Sequence, residues 1–254
     1  MAKILRGSIL TNLRGLPDGY TICQTQNGPI LRKKTSCSKS RFATDPAFAA
    51  VRNNNREFGN AGRAGKLLRE AFKIQLRYAK DPKLTPSMQA LMMRVVKSDQ
   101  VSAPGNRCAA NGNLDLLHQF DCNAAAGIDR ILASQYSIHI DRISGTVRLT
   151  LPSIVPALDL KHPAGATHYR IICASGEIDF TENKYQTNDS KSGLLPICND
   201  ASAPVSLTNF VTPGSALPIF VALGIQFVIL KNGGEYQSGN MHSNPLCFVK
   251  IDKP

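Results

Sequence analysis

The stretch GNAGRAGKLLREAFK, residues 59–73, decides what kind of fold this chain adopts. Read as a phosphate-binding loop, its glycines before a lysine put a nucleotide at the edge of a parallel α/β sheet. Read as a helix, it makes the chain an α+β protein. A Walker loop needs G-x-x-x-x-G-K-[ST], because backbone N–H groups cradle the phosphates and the last hydroxyl binds magnesium. Here Leu67 follows Gly65-Lys66, Asn60 stands where the first glycine belongs, and no strand leads into the segment. Gly59, Gly62 and Gly65 also miss the spacing of a dinucleotide fingerprint. The helical reading therefore wins.

As a helix the segment extends from Arg56 to Lys80, after a shorter helical piece that opens at Asp45-Pro46 and breaks at Asn53-Asn54-Asn55. Phe58, Ala61, Gly65, Leu68, Phe72, Leu76 and Ala79 recur at steps of three and four and form one apolar stripe. Arg56, Arg63, Lys66, Arg69, Lys73, Arg77 and Lys80 fall on the other side. The stripe residues Phe58, Gly65, Leu68 and Phe72 are the candidates for helix packing. A glycine inside a helix costs about 1 kcal/mol relative to alanine, which close approach of a second backbone offsets. Asp81-Pro82 ends the helix, and Thr85-Pro86 caps a second one. In it Met88, Leu91, Met92, Val95 and Val96 keep the helical period. A short turn between them makes the two an antiparallel pair.

Upstream, Asn27-Gly28 sits between two short β-capable runs and supplies the turn of a hairpin. Residues 7–19 and 35–45 read as extended arm or loop. Downstream, residues 98–134 are rich in Asn, Ala and Gly, with LDLLHQFD as one strand candidate. Beyond them the period changes to two. Tyr136, Ile138 and Ile140, then Val147, Leu149 and Leu151, alternate around the turn RISG. Further strands are expected in THYRIICA, EIDFT, GLLPIC, PVSLTNFV, PIFVALGIQFVIL and PLCFVKI. ASGE, NDASAP, TPGSA and KNGG mark the turns. Eight or so short strands point to an antiparallel sandwich of immunoglobulin-like kind, without the tryptophan and paired cysteines of an antibody domain. The expected organisation is a basic arm and helical module over residues 1–110, a connector over 111–130 and a β-sandwich over 131–254.

The charge is divided the same way. Residues 1–110 hold 20 Lys or Arg against 6 Asp or Glu, and residues 111–254 hold 10 against 12. Such a step suggests a polyanion or an acidic protein surface as partner. The helix face of Arg56, Arg63, Lys66, Arg69, Lys73, Arg77 and Lys80 is the candidate contact surface, against the plainer reading of a solvated helix face. It lacks the interleaved exposed aromatics of single-strand nucleic-acid binders.

Chemistry-bearing patterns are sparse. Seven scattered cysteines form no CxxC pair and read as buried thiols of a reducing compartment. The five histidines show no HExxH or paired metal spacing. No serine occupies a GxSxG elbow. We therefore expect no catalytic residue, no cofactor and no metal. No apolar run reaches the roughly 18 residues of a membrane span, and residues 1–20 show no continuous apolar signal segment. The expected compartment is the cytoplasm, with non-classical export leaving no mark in a sequence.

RNNNREFGNAGRAGKLLREAF with its following helix, PAGATHYRI, ILKNGGEYQSG and the NGPILRKK of the N-terminal part together resemble a group of uncharacterised Bacteroidetes proteins of unknown function. The resemblance covers nearly the whole chain and implies the domain order, with no activity or site residue to carry over. The expected function is that of a non-enzymatic structural or assembly protein, acting on itself or another protein. The alternative is a nucleic-acid-associated protein using the basic half, and a hydrolase or carbohydrate-active enzyme ranks third.

Overall fold

The structure, a computed structural model, describes residues 2–3, 19–33, 38–79, 81–238 and 243–254. It is a mixed protein of antiparallel sheets and two long helices, and its contacts divide into two units, Met1–Arg52 and Asn53–Pro254. Lys80 and His242 lie outside the described residues, as does most of the 7–19 arm.

In the first unit, β1 (Ala2–Lys3), β2 (Tyr20–Thr25) and β3 (Gly28–Lys33) form an antiparallel sheet in the order β1-β3-β2. The expected hairpin is present, but its turn lies one residue earlier than Asn27-Gly28. Thr25 pairs with Gly28, so Gln26 and Asn27 bridge the strands. Only Gly28 takes a positive φ, +102°, the conformation a side chain disfavours. The Thr25 hydroxyl donates to its carbonyl at 2.6 Å. Part of the segment read as loop is helical instead: α1 (Lys39–Thr44) is capped by Ser38, whose oxygen accepts from the Arg41 N–H. Asp45 then caps a 3₁₀ turn, Pro46–Phe48, through the Ala47 N–H at 2.9 Å. Arg52 donates to the carbonyls of Phe42 and Asp45, and the Phe42 and Phe48 rings meet at 5.4 Å. Among the described residues of this unit whose side chains are placed, none is buried.

Helix α2 (Ala49–Ala71) runs without interruption through Asn53-Asn54-Asn55. Asparagine is a poor helix former by only a fraction of a kcal/mol per residue, too little to break 23 residues of ladder. The break comes at Phe72 (φ −99°, ψ 22°), followed by the short α3 (Lys73–Leu76). The departure at Phe72 accompanies full burial of its ring, which packs edge-on against Phe248 at 5.0 Å. Helix α4 (Leu84–Lys97) begins before the expected Thr85-Pro86 cap, with Lys83 in the cap position and the Asp81 carboxylate taking its N–H. Pro86 falls in the first turn, where a missing N–H costs nothing.

The rest of the second unit is built on two antiparallel sheets, with short helical turns between their strands. The larger contains β4 (Phe120–Asp121), β13 (Leu246–Asp252), β11 (Ile219–Lys231), β7 (His168–Asp179) and β8 (Lys184–Lys191) in that order. The short β12 (Gly234–Gln237) joins β11 and β9 (Leu195–Pro196) joins β7. The smaller has the order β10 (Val205–Phe210), β6 (Thr146–Leu151), β5 (Ser137–Asp141). The β5–β6 hairpin is the one the alternating residues announced.

Along β11 the side chains sort by parity, as a strand requires. Val221, Leu223, Ile225 and Phe227 join one core with Val147, Leu149 and Leu207 of the smaller sheet. Phe220 and Ala222 join another with Leu68, Phe72, Met88 and Met92 of the helices. The larger sheet is thus covered on both faces, and helices, large sheet and small sheet form three layers. This differs from the expected separation at residues 111–130. Leu114, Leu117 and Cys122 belong to the helix-side core, so that segment is no linker, and contacts divide at Arg52/Asn53 instead.

Five stretches differ from their strand or turn readings in the sequence. ASGE is the middle of β7, not a turn. A Cβ at Gly176 would stand 3.1 Å from the Phe72 ring, so this glycine makes room for the helix layer. EIDFT is mostly the end of β7 rather than a strand of its own. KYQTNDSK, which shows no apolar alternation, is the edge strand β8. LDLLHQFD is a 3₁₀ turn, Leu114–Leu117, followed by the two-residue β4, while GLLPIC contributes only β9.

Candidate functional site

The cationic residues of α2 and of the α3 turn that follows it do not form one uniform stripe. Arg56, Arg63, Lys66, Lys73 and Arg77 are exposed and Arg69 is half-buried. Lys66 lies 3.6 Å from Glu70 one turn on, an exposed pair worth a few tenths of a kcal/mol. Arg63 is held differently. Its Nη2 donates to the Asn60 side-chain oxygen at 2.6 Å, and the Asn60 amide donates to the Arg107 carbonyl at 2.7 Å. Asn60 therefore ties the helix to the loop after α4 and fixes the direction of Arg63. No carboxylate among the described residues lies within ion-pair reach of Arg56 or Arg63.

The loop is organised by two buried carboxylates. Glu57 accepts the Gly105 N–H at 2.8 Å and lies 3.9 Å from Arg107. Asp99 accepts the N–H groups of Val101, Ser102 and Cys108 at 2.9–3.1 Å. Burial alone would raise the Asp99 pKa, but hydrogen bonds from the Ser102 backbone and hydroxyl and from the Cys108 and Val101 backbone outweigh it and hold it down to about 2. Gly112 closes the loop where a Cβ would fall 2.3 Å from the Val95 carbonyl oxygen.

Between α2, this loop and the β7–β8 turn lies a hollow of 290 Å³ lined by Asn60, Arg63, Ala64, Cys108 and Phe180 among others. A second of 630 Å³ continues past Arg56, Gly59 and Gly105. Asn60, Arg107 and Phe180 were not singled out from sequence. Asn60 stands inside the stretch that raised the phosphate question, as the residue that spoils its pattern. Its role depends on a partner 47 positions away, which local spacing does not reveal.

Of the four packing candidates, Leu68 and Phe72 are fully buried and Gly65 is buried against Met88 and Met92. A Cβ on Gly65 would meet Met88 Cγ at 3.2 Å. Phe58 departs from the expectation, with 55% of its surface exposed. It lies on the rim of the buried arc beside a polar neighbour, Gln89, whose amide donates to the Phe58 carbonyl at 3.0 Å. Gly62 leaves space for that approach, since a Cβ there would be 3.2 Å from the Gln89 oxygen.

Burial pushes the Cys173 thiol up to about 12 and those of Cys122 and Cys247 higher still, so none is a thiolate at neutral pH. Among the described residues no three His, Cys, Asp or Glu side chains gather as a metal site, and no helix is long and apolar enough to cross a membrane. Compared with protein-family models, with curated proteins and with solved structures, the chain has no match.

Proposed function

We propose that this is a non-enzymatic structural or assembly protein of the cytoplasm that works by protein–protein contact, including contact with copies of itself. One observation carries the reading: the N-terminal unit has secondary structure, yet among its described residues none whose side chain is placed is buried. Ile22, Ile30, Leu31, Phe42 and Phe48 are all only half-buried. A three-stranded sheet gains independent stability by burying an apolar face, so these half-buried residues favour cover from another surface. The same 52 residues hold nine Lys or Arg against two Asp, which favours an acidic counterpart. The two packed sheets, read as an immunoglobulin-like sandwich, add support by analogy with architectures that serve as interaction modules. The resemblance to the Bacteroidetes group is part of the same proposal and contributes only domain order.

Light scattering after size-exclusion chromatography tests it, on the full chain and on a chain lacking residues 1–45, at low and high salt. The full chain should run as a concentration-dependent oligomer, or bind a partner, and the truncated chain should not. Identical monomers under all conditions, with no partner recovered by the full chain alone, would remove the basis for the reading.

The second reading is nucleic-acid association, favoured by the excess of cations over residues 1–110. Binding to duplex DNA would then weaken with a log–log salt slope of about −0.9 per phosphate neutralised. Replacing Arg63, Lys66, Lys73 and Arg77 by glutamine would flatten it.

A further inference from the structure

We propose that the second unit carries a groove for an extended peptide of another protein, acidic at one end and apolar at the other. The inference rests on the assembly reading and names the chemistry of a partner. The two hollows beside α2 share Asn60 and Arg63. A third, of 360 Å³, shares Ala110, Phe180 and Thr181 with the 290 Å³ hollow and continues to Leu217 and Pro218. The three form one groove in series.

Its ends differ in chemistry. At one end stand Arg56 and Arg63, without a carboxylate partner among the described residues and with Arg63 already aimed by Asn60. A guanidinium so held loses little freedom on pairing with a carboxylate. In the middle Ala64, Ala109, Ala110 and Phe180 line the groove beside Cys108, Thr181 and Asn183, and further on Leu217 and Pro218. The far end has its charges already satisfied: Asp179 accepts the N–H groups of Thr181 and Glu182 at 2.9 Å, and Lys253 pairs with Asp115.

Charge decides the occupant. The two arginines are seven positions apart on the helix, about 10 Å along the axis, a distance an extended chain covers in about three residues. Two carboxylates two or three residues apart therefore reach both, and the following residues lay apolar side chains on the floor. The basic N-terminal segment of a second copy would meet repulsion from Arg56 and Arg63. A nucleic acid would need cations along the whole groove rather than at one end.

The test is selection of a random nonapeptide library displayed on phage against the immobilised full chain. The selected peptides are then synthesised with a fluorescent label and measured by anisotropy. The expected consensus has two acidic residues followed by aliphatic ones. The double variant Arg56→Gln/Arg63→Gln should weaken the selected peptide about tenfold or more, the loss of two charge-assisted contacts. Ala110→Trp, at an exposed position that lines two of the hollows, should do the same by filling the groove, with circular dichroism unchanged. A basic or absent consensus, or a peptide that binds both variants as it binds the parent, would overturn the proposal. Light scattering on the same samples keeps the outcomes separate. Self-association without peptide selection discards the groove and leaves the assembly reading. Peptide binding by a strict monomer does the reverse for self-association.

Discussion

Asp99 shows how much one side chain organises. It lies just past Ser98, the C-cap of α4, and its carboxylate gathers three backbone N–H groups of the loop that forms one wall of the groove. Its pKa is lowered from 3.8 to about 2, so the folded protein favours the ionised form. The stabilisation is complete above the ordinary carboxylate range and is lost as pH falls from about 4 through about 2. Asp99→Asn should therefore lower Tm at pH 7, and the gap to the parent should close as thermal melts are taken down to pH 2. A gap that stays constant with pH would contradict this assignment. Gly65 sets the spacing of the two long helices. Gly65→Leu should cost about 1–3 kcal/mol by overpacking Met88 and Met92, read as a shift in the urea midpoint. Gly65 was legible as a small residue on an apolar stripe, but its contacts come from residues 88 and 92, and Asp99 shows no local pattern.

Among the elements, α2 and α4 and the β5–β6 hairpin were legible because each repeats one period over enough residues to leave no ambiguity. The two long strands β7 and β11 were harder. Both faces of each are buried, so β11 reads as a continuous apolar run and β7 is interrupted by Ser175 and Gly176. That interruption looks like a turn in isolation, yet it is the contact point for Phe72. The opposite error produced β8. Its side chains are polar and almost all exposed, and only pairing with β7 makes it a strand. The site where helix layer meets sheet is open to a direct check. Phe72→Ala removes a ring packed on Phe248 and should cost about 3–5 kcal/mol, measured by denaturant unfolding. A loss below about 1 kcal/mol would mean the helix layer does not depend on this contact.

For the whole molecule, the division at Arg52/Asn53 predicts how the chain comes apart. One core draws on residues from Ala61 to Ile251, so the second unit should unfold in a single cooperative transition. Removing residues 1–45 should leave its midpoint within experimental scatter, since no described residue there is buried. Limited proteolysis should cut within residues 1–45 and spare 99–130, whose Leu114, Leu117 and Ile128 are buried. Early cleavage in 99–130 would restore the boundary that the change of period suggested. By itself the sequence determined the class of the protein: two amphipathic helices, then antiparallel strands, with a basic N-terminal half. It also ruled out a phosphate loop at residues 59–66, because that motif is local and its residues are simply absent. What only the tertiary structure decided was which faces meet. Periodicity says that a face is apolar but not what covers it, so the sharing of one sheet by two layers stayed hidden. So did the alignment of Asn60, Arg63 and Phe180 along one groove, because those residues are adjacent only after distant segments pack.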